Sequence, residues 1–321
     1  MNLKTIVNKF SKAKVLIVGD LILDRFIRGE AKKISPEAPV PVVEVKKETY
    51  CLGGAGNVAN NIRSLGGNVL LAGVVGNDYT AEILYREMGK IRVERTGVFA
   101  DEERITSIKT RIIAGHQQVV RYDKETVLEI SPAVSAKIIA YIKNSMPSCD
   151  AILISDYGKG VVTQKLISEI IHLAKKHNKI ITVDPKIEHF SRYKNVDCLT
   201  PNLNEAKAGM HVVKMRNESD FDKLGDSILK KLKCRSVLIT QGESGMTLFE
   251  SNRKTHIPTV AKEVFDVSGA GDTVIAALTL SLASGASLLD AAKISNYAAG
   301  IVVGKLGTAT VSAEELLGSV K

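Results

Sequence analysis

The chain has 321 residues, 45% of them hydrophobic and 25% charged, so it is long enough for one large domain plus a small appendage with ample core. Four scattered cysteines, Cys51, Cys149, Cys198 and Cys234, argue against a zinc site and suit a reducing cytoplasm, and neither a membrane-length apolar stretch nor a signal-peptide pattern occurs. A formal net charge of +9 raises nucleic acid as a partner, but the lysines are spread along surface-type helices, as at Lys175/Lys176 and Lys230/Lys231, and aromatics are only 5%. Small phosphorylated ligands account for the charge better than a nucleic acid or a membrane does.

In chain order the pattern predicts a strand over 14–19, a helix over 57–65, a strand over 68–75 and a helix over 79–88. A strand over 151–154, a helix over 163–177, a strand over 180–183 and a short strand ending at Leu199 follow. A helix over about 218–232 and a strand over 236–240 complete the alternation. This βαβα order with near-continuous apolar strands predicts an α/β fold: a mostly parallel sheet sandwiched by helices. Two segments break the rhythm. Residues 39–48 alternate β-branched and polar side chains, and 105–123 reads as a hairpin turning near Ala114-Gly115. They predict a small antiparallel β lid, from segments at about 25–50 and 96–124, inserted in a single domain covering 1–321.

Ligands bind at the carboxyl ends of the strands in such sheets. Here those ends are polar: Gly19-Asp20, Ser155-Asp156-Tyr157-Gly158-Lys159, Asp184-Pro185-Lys186, Thr200-Pro201-Asn202 and Thr240-Gln241-Gly242. The most informative run is Asp266-Val-Ser268-Gly269-Ala270-Gly271-Asp272-Thr273, ahead of a long small-residue apolar stretch. An extended segment, a glycine turn and a helix start make an anion site, because the first N–H groups of a helix lack internal partners and face its positive dipole end. Gly269 and Gly271 let backbone approach a phosphate without a Cβ in the way. A carboxylate there repels phosphate unless it has a task, and Asp272 suits taking the proton of an acceptor hydroxyl. The bland alternative is Asp in the first turn of an ordinary helix.

A second glycine cluster, Gly53-Gly54-Ala55-Gly56-Asn57-Val58-Ala59, matches the dinucleotide pattern formally at Gly54, Gly56 and Ala59. The mixed, charged residues 46–52 ahead of it are not the apolar strand which that pattern requires. A tight turn at a helix start fits better, with the Asn57 amide offered to a polyol.

Over essentially its whole length the chain resembles the PfkB/ribokinase family of sugar kinases. Gly53-Gly54-x-x-Asn57-x-Ala59 is similar to that family's N-terminal signature and Asp266-x-x-Gly269-Ala270-Gly271-Asp272-Thr273 to its C-terminal one. The resemblance implies a ribokinase-like domain with a β lid that often mediates homodimerisation. It further implies ATP as donor, and Asp272 as base beneath an anion hole at Gly269, Ala270 and Gly271. Further stretches are similar to the bacterial heptose-7-phosphate kinases of lipopolysaccharide precursor synthesis. They include Asp20-x-x-x-Asp24-Arg25, Ile34-Ser35-Pro36-Glu37-Ala38-Pro39, Lys109-x-Arg111, Gln117-Gln118-x-x-Arg121 and Gly304-Lys305-Leu306-Gly307-Thr308. Gly56 and Gln241-Gly242 depart from the usual residues. No H-x-G-H signature follows, so the resemblance is to a kinase half, with a separate nucleotidyltransferase acting on the pathway product.

Within this frame Asp20 and Asp24 suit vicinal sugar hydroxyls, beside Gly53, Gly54 and Asn57, although Asp20 also suits a turn cap. Lys109 and Arg111, two apart on a strand, share a face and with Gln117 and Arg121 suit a clamp for the sugar's own phosphate; the alternative is a solvated lid face. Lys186 suits a phosphate of either substrate, or is a surface lysine. Asn202 and Glu205 resemble the family's Mg²⁺-ordering pair, acting through water, or form a helix cap. Thr240, Gly242 and Gly245 look like a nucleotide wall, with Asn296 flanking the adenine. The family also implies a monovalent cation, K⁺, near Asp266. Three readings follow: a kinase acting at O1 of a heptose 7-phosphate, a kinase of the same family on another sugar such as ribose or fructose 1-phosphate, and a non-catalytic sensor, which the intact Asp272, glycines and Glu205 disfavour.

Overall fold

In the computed structural model, which describes residues 2–261 and 263–320, the strands in chain order are β1 (Lys14–Gly19), β2 (Leu21–Ile34), β3 (Pro41–Gly54), β4 (Asn68–Val75), β5 (Gly97–Ala100), β6 (Ser107–Ala114) and β7 (Gln117–Lys124). They continue with β8 (Ala151–Ser155), β9 (Ile180–Asp184), β10 (Cys198–Leu199), β11 (Ser236–Thr240), β12 (Met246–Glu250) and β13 (Arg253–Ile257). A nine-stranded sheet has the order β13-β12-β11-β10-β9-β8-β1-β4-β5. From β11 to β5 every pairing is parallel, while β12 and β13 add an antiparallel edge. Strands such as β1 and β8 are buried on both faces, as their continuous apolar runs require. Alternate residues feed two cores: Val15 and Ile17 pack with Val58, Ile275 and Ala298, and Leu16 and Val18 with Ile138, Ile170 and Ile228.

The first of those faces carries the helices Ala55–Ser64, Tyr79–Lys90, Ala270–Ala283 and Leu288–Val302; the second carries Pro132–Ser145, Gln164–Lys176 and Glu218–Leu232. Two helices stand apart at their N-termini. Those starting at Ala55 and Ala270 have glycine N-caps with no side-chain hydrogen bond, whereas the N-cap side chain of every other α-helix among the described residues accepts a backbone N–H. A glycine N-cap forgoes only a few tenths of a kcal/mol and leaves the helix end uncovered by any side chain, while the N–H groups of Ala55 and Ala270 go to the carbonyls of Asp20 and Val267.

The lid is the four-stranded sheet β3-β2-β6-β7. Two antiparallel pairs, β2 with β3 and β6 with β7, join through parallel pairing of β2 and β6. Its long strands start farther down than expected: only Asp20 separates β1 from β2, and β3 runs through Gly54 directly into the helix Ala55–Ser64. Residues 97–100, expected in the lid, instead form β5 beside β4, because Gly97 is wedged against the carbonyl of Leu71 and the ring of Tyr141, with no room for a Cβ. The hairpin turn falls at residues 115–116, as expected.

Candidate active site

Asp272 lies in the first turn of the helix Ala270–Ala283 and is 5% exposed. Both its oxygens are held. The Asn57 amide donates to Oδ2 at 2.7 Å, and the Tyr157 hydroxyl donates to Oδ1 at 2.8 Å. The network continues inward, since Thr273 Oγ1 donates to Asn61 Oδ1 at 2.7 Å and Asn61 donates to the Asn57 carbonyl at 2.9 Å. Burial pushes the Asp272 carboxyl up to about 6, against the hydrogen bonds of Asn57 and Tyr157, which pull it down. It therefore ionises just below neutral pH, where a general base is useful.

The turn that delivers Asp272 depends on Gly269, whose φ of +79° is left-handed and which lies close to the Asn57 amide. At the other glycine pair, a Cβ on Gly53 would sit 2.5 Å from Asp24 Oδ2 and one on Gly54 would sit 2.4 Å from the Asp20 carbonyl. Gly53 thus admits the Asp24 carboxylate, and Gly54, with φ of +57°, turns β3 into the helix. Asn57, expected to meet a polyol, gives one of its two amide N–H donors to Asp272.

Asp20 has a different task from the expected one. It is 1% exposed, and its carboxylate accepts from the backbone N–H of Tyr157 (2.8 Å), Lys159 (3.2 Å) and Val161 (3.1 Å), so it straps the 156–161 loop to the end of β1 instead of facing a sugar. Burial and then neighbouring Asp156 raise its carboxyl to about 6. Asp24 does face the cleft side, 7% exposed, and receives Arg111 Nη1 at 2.5 Å. Arg111 also lies over the Phe26 ring at 5.2 Å, and Lys109 Nζ lies 5.7 Å above the Tyr157 ring. Burial, then Lys159, lowers the Lys109 ammonium.

Arg111 lines a cavity of about 330 Å³ under the lid together with Phe26, Arg28, His116, Gln118, Asp266 and Thr308. Gln117 is not among its walls. A register shift after Ile112 sets Gln118 opposite Ile113 and Gln117 opposite Ala114, so Gln118 shares the Arg111 face and Gln117 lines an outer groove with Glu30 and Val119. Arg121 sits directly across from Arg111 but is exposed and pairs with Asp123 at 3.1 Å.

Thr240, Gly242, Gly245 and Asn296 converge as expected, lining a mostly apolar cavity of about 490 Å³ whose floor includes Ala270, Gly271 and Val274. Asn296 is anchored by donating to the Pro258 carbonyl at 2.8 Å. Residues 266–271 are thus shared: Asp266 and Ser268 face the lid cavity, Ala270 and Gly271 the apolar one. Asp266 accepts from the N–H of Ser268 at 2.9 Å and of Gly307 at 3.1 Å, pinning the 304–310 loop; although burial works against it, those amides hold its carboxyl below the usual range. Asn202 and Glu205 cap one another reciprocally at 2.9 Å, which is the helix-cap alternative realised. Lys186 lies beside Gly158 and 3.8 Å from Glu188, partly exposed.

Sequence reasoning placed Tyr157 and Asp184 at polar strand ends and noted Gln118 but gave none of them a role, and it missed Arg28 and His116. Asp184 ends an apolar strand in an acid, the same signal that singled out Asp20, and burial, Asp272 and Glu205 raise its carboxyl well above the ordinary value. Tyr157, an aromatic inside a polar strand end, carried a weaker signal. Arg28 and His116 look like any charged lid residue until the strands are in register.

A helix start open to an anion, a buried carboxylate beside it and a cavity on either side define a phosphotransferase that acts on a small hydroxyl-bearing acceptor. Residues 12–316 match the family model described as "pfkB family carbohydrate kinase". The chain belongs to this family of carbohydrate kinases. It is 44% identical over 97% of its length to the bifunctional protein HldE of Desulfatibacillum aliphaticivorans and 42% identical over its whole length to that of Geobacter sulfurreducens, spanning 63% and 66% of those relatives. Among solved structures, phosphofructokinase-2 from Escherichia coli in complex with potassium matches with a TM-score of 0.77 at 19% identity, covering 96% of this chain and 98% of the other. Arabidopsis thaliana ribokinase complexed with ribose and ATP matches at 0.75 and 17%, with the same coverage. No helix among the described residues is long and apolar enough to cross a membrane.

Proposed function

We propose that this kinase transfers the γ-phosphoryl group of ATP to O1 of a heptose 7-phosphate, giving the 1,7-bisphosphate, a precursor of ADP-heptose for lipopolysaccharide. The observation that carries it is the shared turn at 266–271, with an apolar cavity on one side and an arginine-rich lid cavity on the other. Full-length similarity to HldE proteins supports the heptose phosphate over other sugars. Asp272, ionised above about pH 6, accepts the O1 proton as the acceptor attacks. The Gly271 and Asp272 N–H groups, at a helix start that no side chain caps, stabilise charge on the transferring group, and Thr240, Gly242, Gly245 and Asn296 hold the nucleotide. Arg111, Arg28, His116 and Gln118 in the lid cavity take the sugar's phosphate, with Lys109 beside them over Tyr157, and Asp24 meets its hydroxyls once Arg111 turns away.

The Asp184 carboxyl, crowded by Asp272 and Glu205, fits a hydrated Mg²⁺, which keeps much of its own water shell. In that role the ion neutralises phosphate charge. The exposed apolar residues of the lid, among them Ile34, Val45 and Val120, support pairing with a second copy. A nucleotidyltransferase acts further on in the pathway that uses this product.

An ADP-release assay with heptose 7-phosphate, heptose, ribose and fructose 1-phosphate tests the reading. Heptose 7-phosphate should exceed the others in kcat/KM by at least about tenfold, one charge-assisted contact's worth. Equal or better turnover of an unphosphorylated sugar removes the phosphate site from the proposal.

A further inference from the structure

We propose that Tyr157 is the positioning residue of the phosphoryl-transfer site: its hydroxyl fixes one oxygen of Asp272 while Asn57 fixes the other, and its ring supports the lid's Lys109. The inference rests on the reading of Asp272 as general base. The geometry is over-determined. Tyr157 Oη lies 2.8 Å from Asp272 Oδ1, and its own backbone N–H is tied to Asp20 at 2.8 Å. The preceding residue, Asp156, is 5% exposed and accepts from the N–H of Gly158 at 2.8 Å, from Tyr193 Oη at 2.5 Å and from His189 Nδ1 at 2.7 Å. A tyrosine that merely filled space would not need both neighbouring acids to anchor its turn.

Two consequences follow for the base. Each carboxylate oxygen has a further lone pair, so an acceptor hydroxyl can still donate to Asp272 while Tyr157 and Asn57 hold its plane. A donor to the charged form also keeps the base charged. The groups facing Asp272 are Asp24 and Lys109 from the lid, Asp184 from the end of β9, Asn57 from its helix, and Tyr157. Burial places the Asp272 carboxyl near 6 even with Tyr157 present, so losing that donor raises it further. Burial, with the Asp272 charge next, pushes the Tyr157 phenol well above its ordinary value, so it remains a donor throughout the working range.

The test is Tyr157→Phe, which keeps the ring beneath Lys109 and removes only the hydroxyl. Carboxyl ¹³C NMR titration of aspartate-labelled protein, with the Asp272 signal assigned by its absence in Asp272→Asn, reads the base directly. The Asp272 midpoint should move up by on the order of one pH unit. The acid limb of kcat with ATP, Mg²⁺ and heptose 7-phosphate should move with it, giving about a fivefold loss at pH 6, approaching tenfold below pH 5, and recovery to within about threefold above pH 8. Should the Phe variant not fold, 3-fluorotyrosine at position 157, a stronger donor, should move the midpoint down. An unmoved midpoint, or a loss equal at every pH, overturns the proposal and leaves Tyr157 as packing. If Asp272→Asn retains parental kcat while the midpoint still shifts, the base assignment falls and the Tyr157 contact stands.

Discussion

The two halves of the active site are built in opposite ways. Around Asp272 the polar groups satisfy one another in a buried network running from Thr273 through Asn61 and Asn57 to the base and on to Tyr157. Under the lid, Arg111 is paired with Asp24, Arg121 is paired with Asp123 in the open, and all of β7 is exposed. A network already complete costs no reorganisation when the acceptor arrives, which is what transfer chemistry requires. A surface held by provisional ion pairs must exchange them for substrate, so it selects by what replaces them. On the proposed function, then, chemistry is preorganised and selection is by competition.

Asp272→Asn is the hardest blow to the preorganised half. It should lower kcat by about 10²–10⁴-fold with nucleotide affinity little changed, as stopped-flow binding beside steady-state rates would show. Residual turnover within about threefold of the parent would remove Asp272 from the mechanism.

Arg111→Ala probes the competitive half and should have a smaller, selective effect. Because Arg111 also neutralises Asp24, its loss should slow phosphorylated and unphosphorylated acceptors alike, and the phosphate's share is the excess. That excess should be about 10- to 150-fold in kcat/KM, the worth of one charge-assisted contact. Equal losses on both acceptors would make Arg111 a partner of Asp24 alone.

The smallest contrast is the sharpest test of register. Gln118→Ala should raise KM for the sugar phosphate a few-fold, about the worth of one neutral hydrogen bond, while Gln117→Ala, on the outer groove, should leave it unchanged. The reverse result would put the β6–β7 register off by one.

Much of this was legible because glycine and charge were in places where only function explains them. Asp272 behind Gly269 and Gly271 announced a helix start without a cap, and the apolar runs of β1 and β8 announced a doubly covered sheet. What stayed hidden depends on register and distance. A one-residue slip after Ile112 moved Gln118 into the cavity and Gln117 out of it, and no periodicity within β7 reveals that slip. Asp20 looked like a ligand because an acid ending a buried strand is rare, yet three amides from a loop far away in sequence claimed it. Glu205 likewise closed a cap with Asn202. The edge strand β13, Arg253–Ile257, is charged and largely exposed and had no apolar pattern to announce it.

The way β2 and β3 leave the main sheet has a mechanical consequence. Both are long strands rooted at Leu21 and at Gly54, their pairing interrupted only by register shifts after Arg28 and Ala31, and Asp24 lies three residues above the root of β2 while Ile34 lies at its tip. Along strands that rise about 3.3 Å per residue, a rigid tilt about that root moves the tip roughly four times as far as Asp24. The ribbon is a lever with its short arm at Asp24: a swing of about 4 Å where β2 and β3 end amounts to about 1 Å at that carboxylate and its partner Arg111.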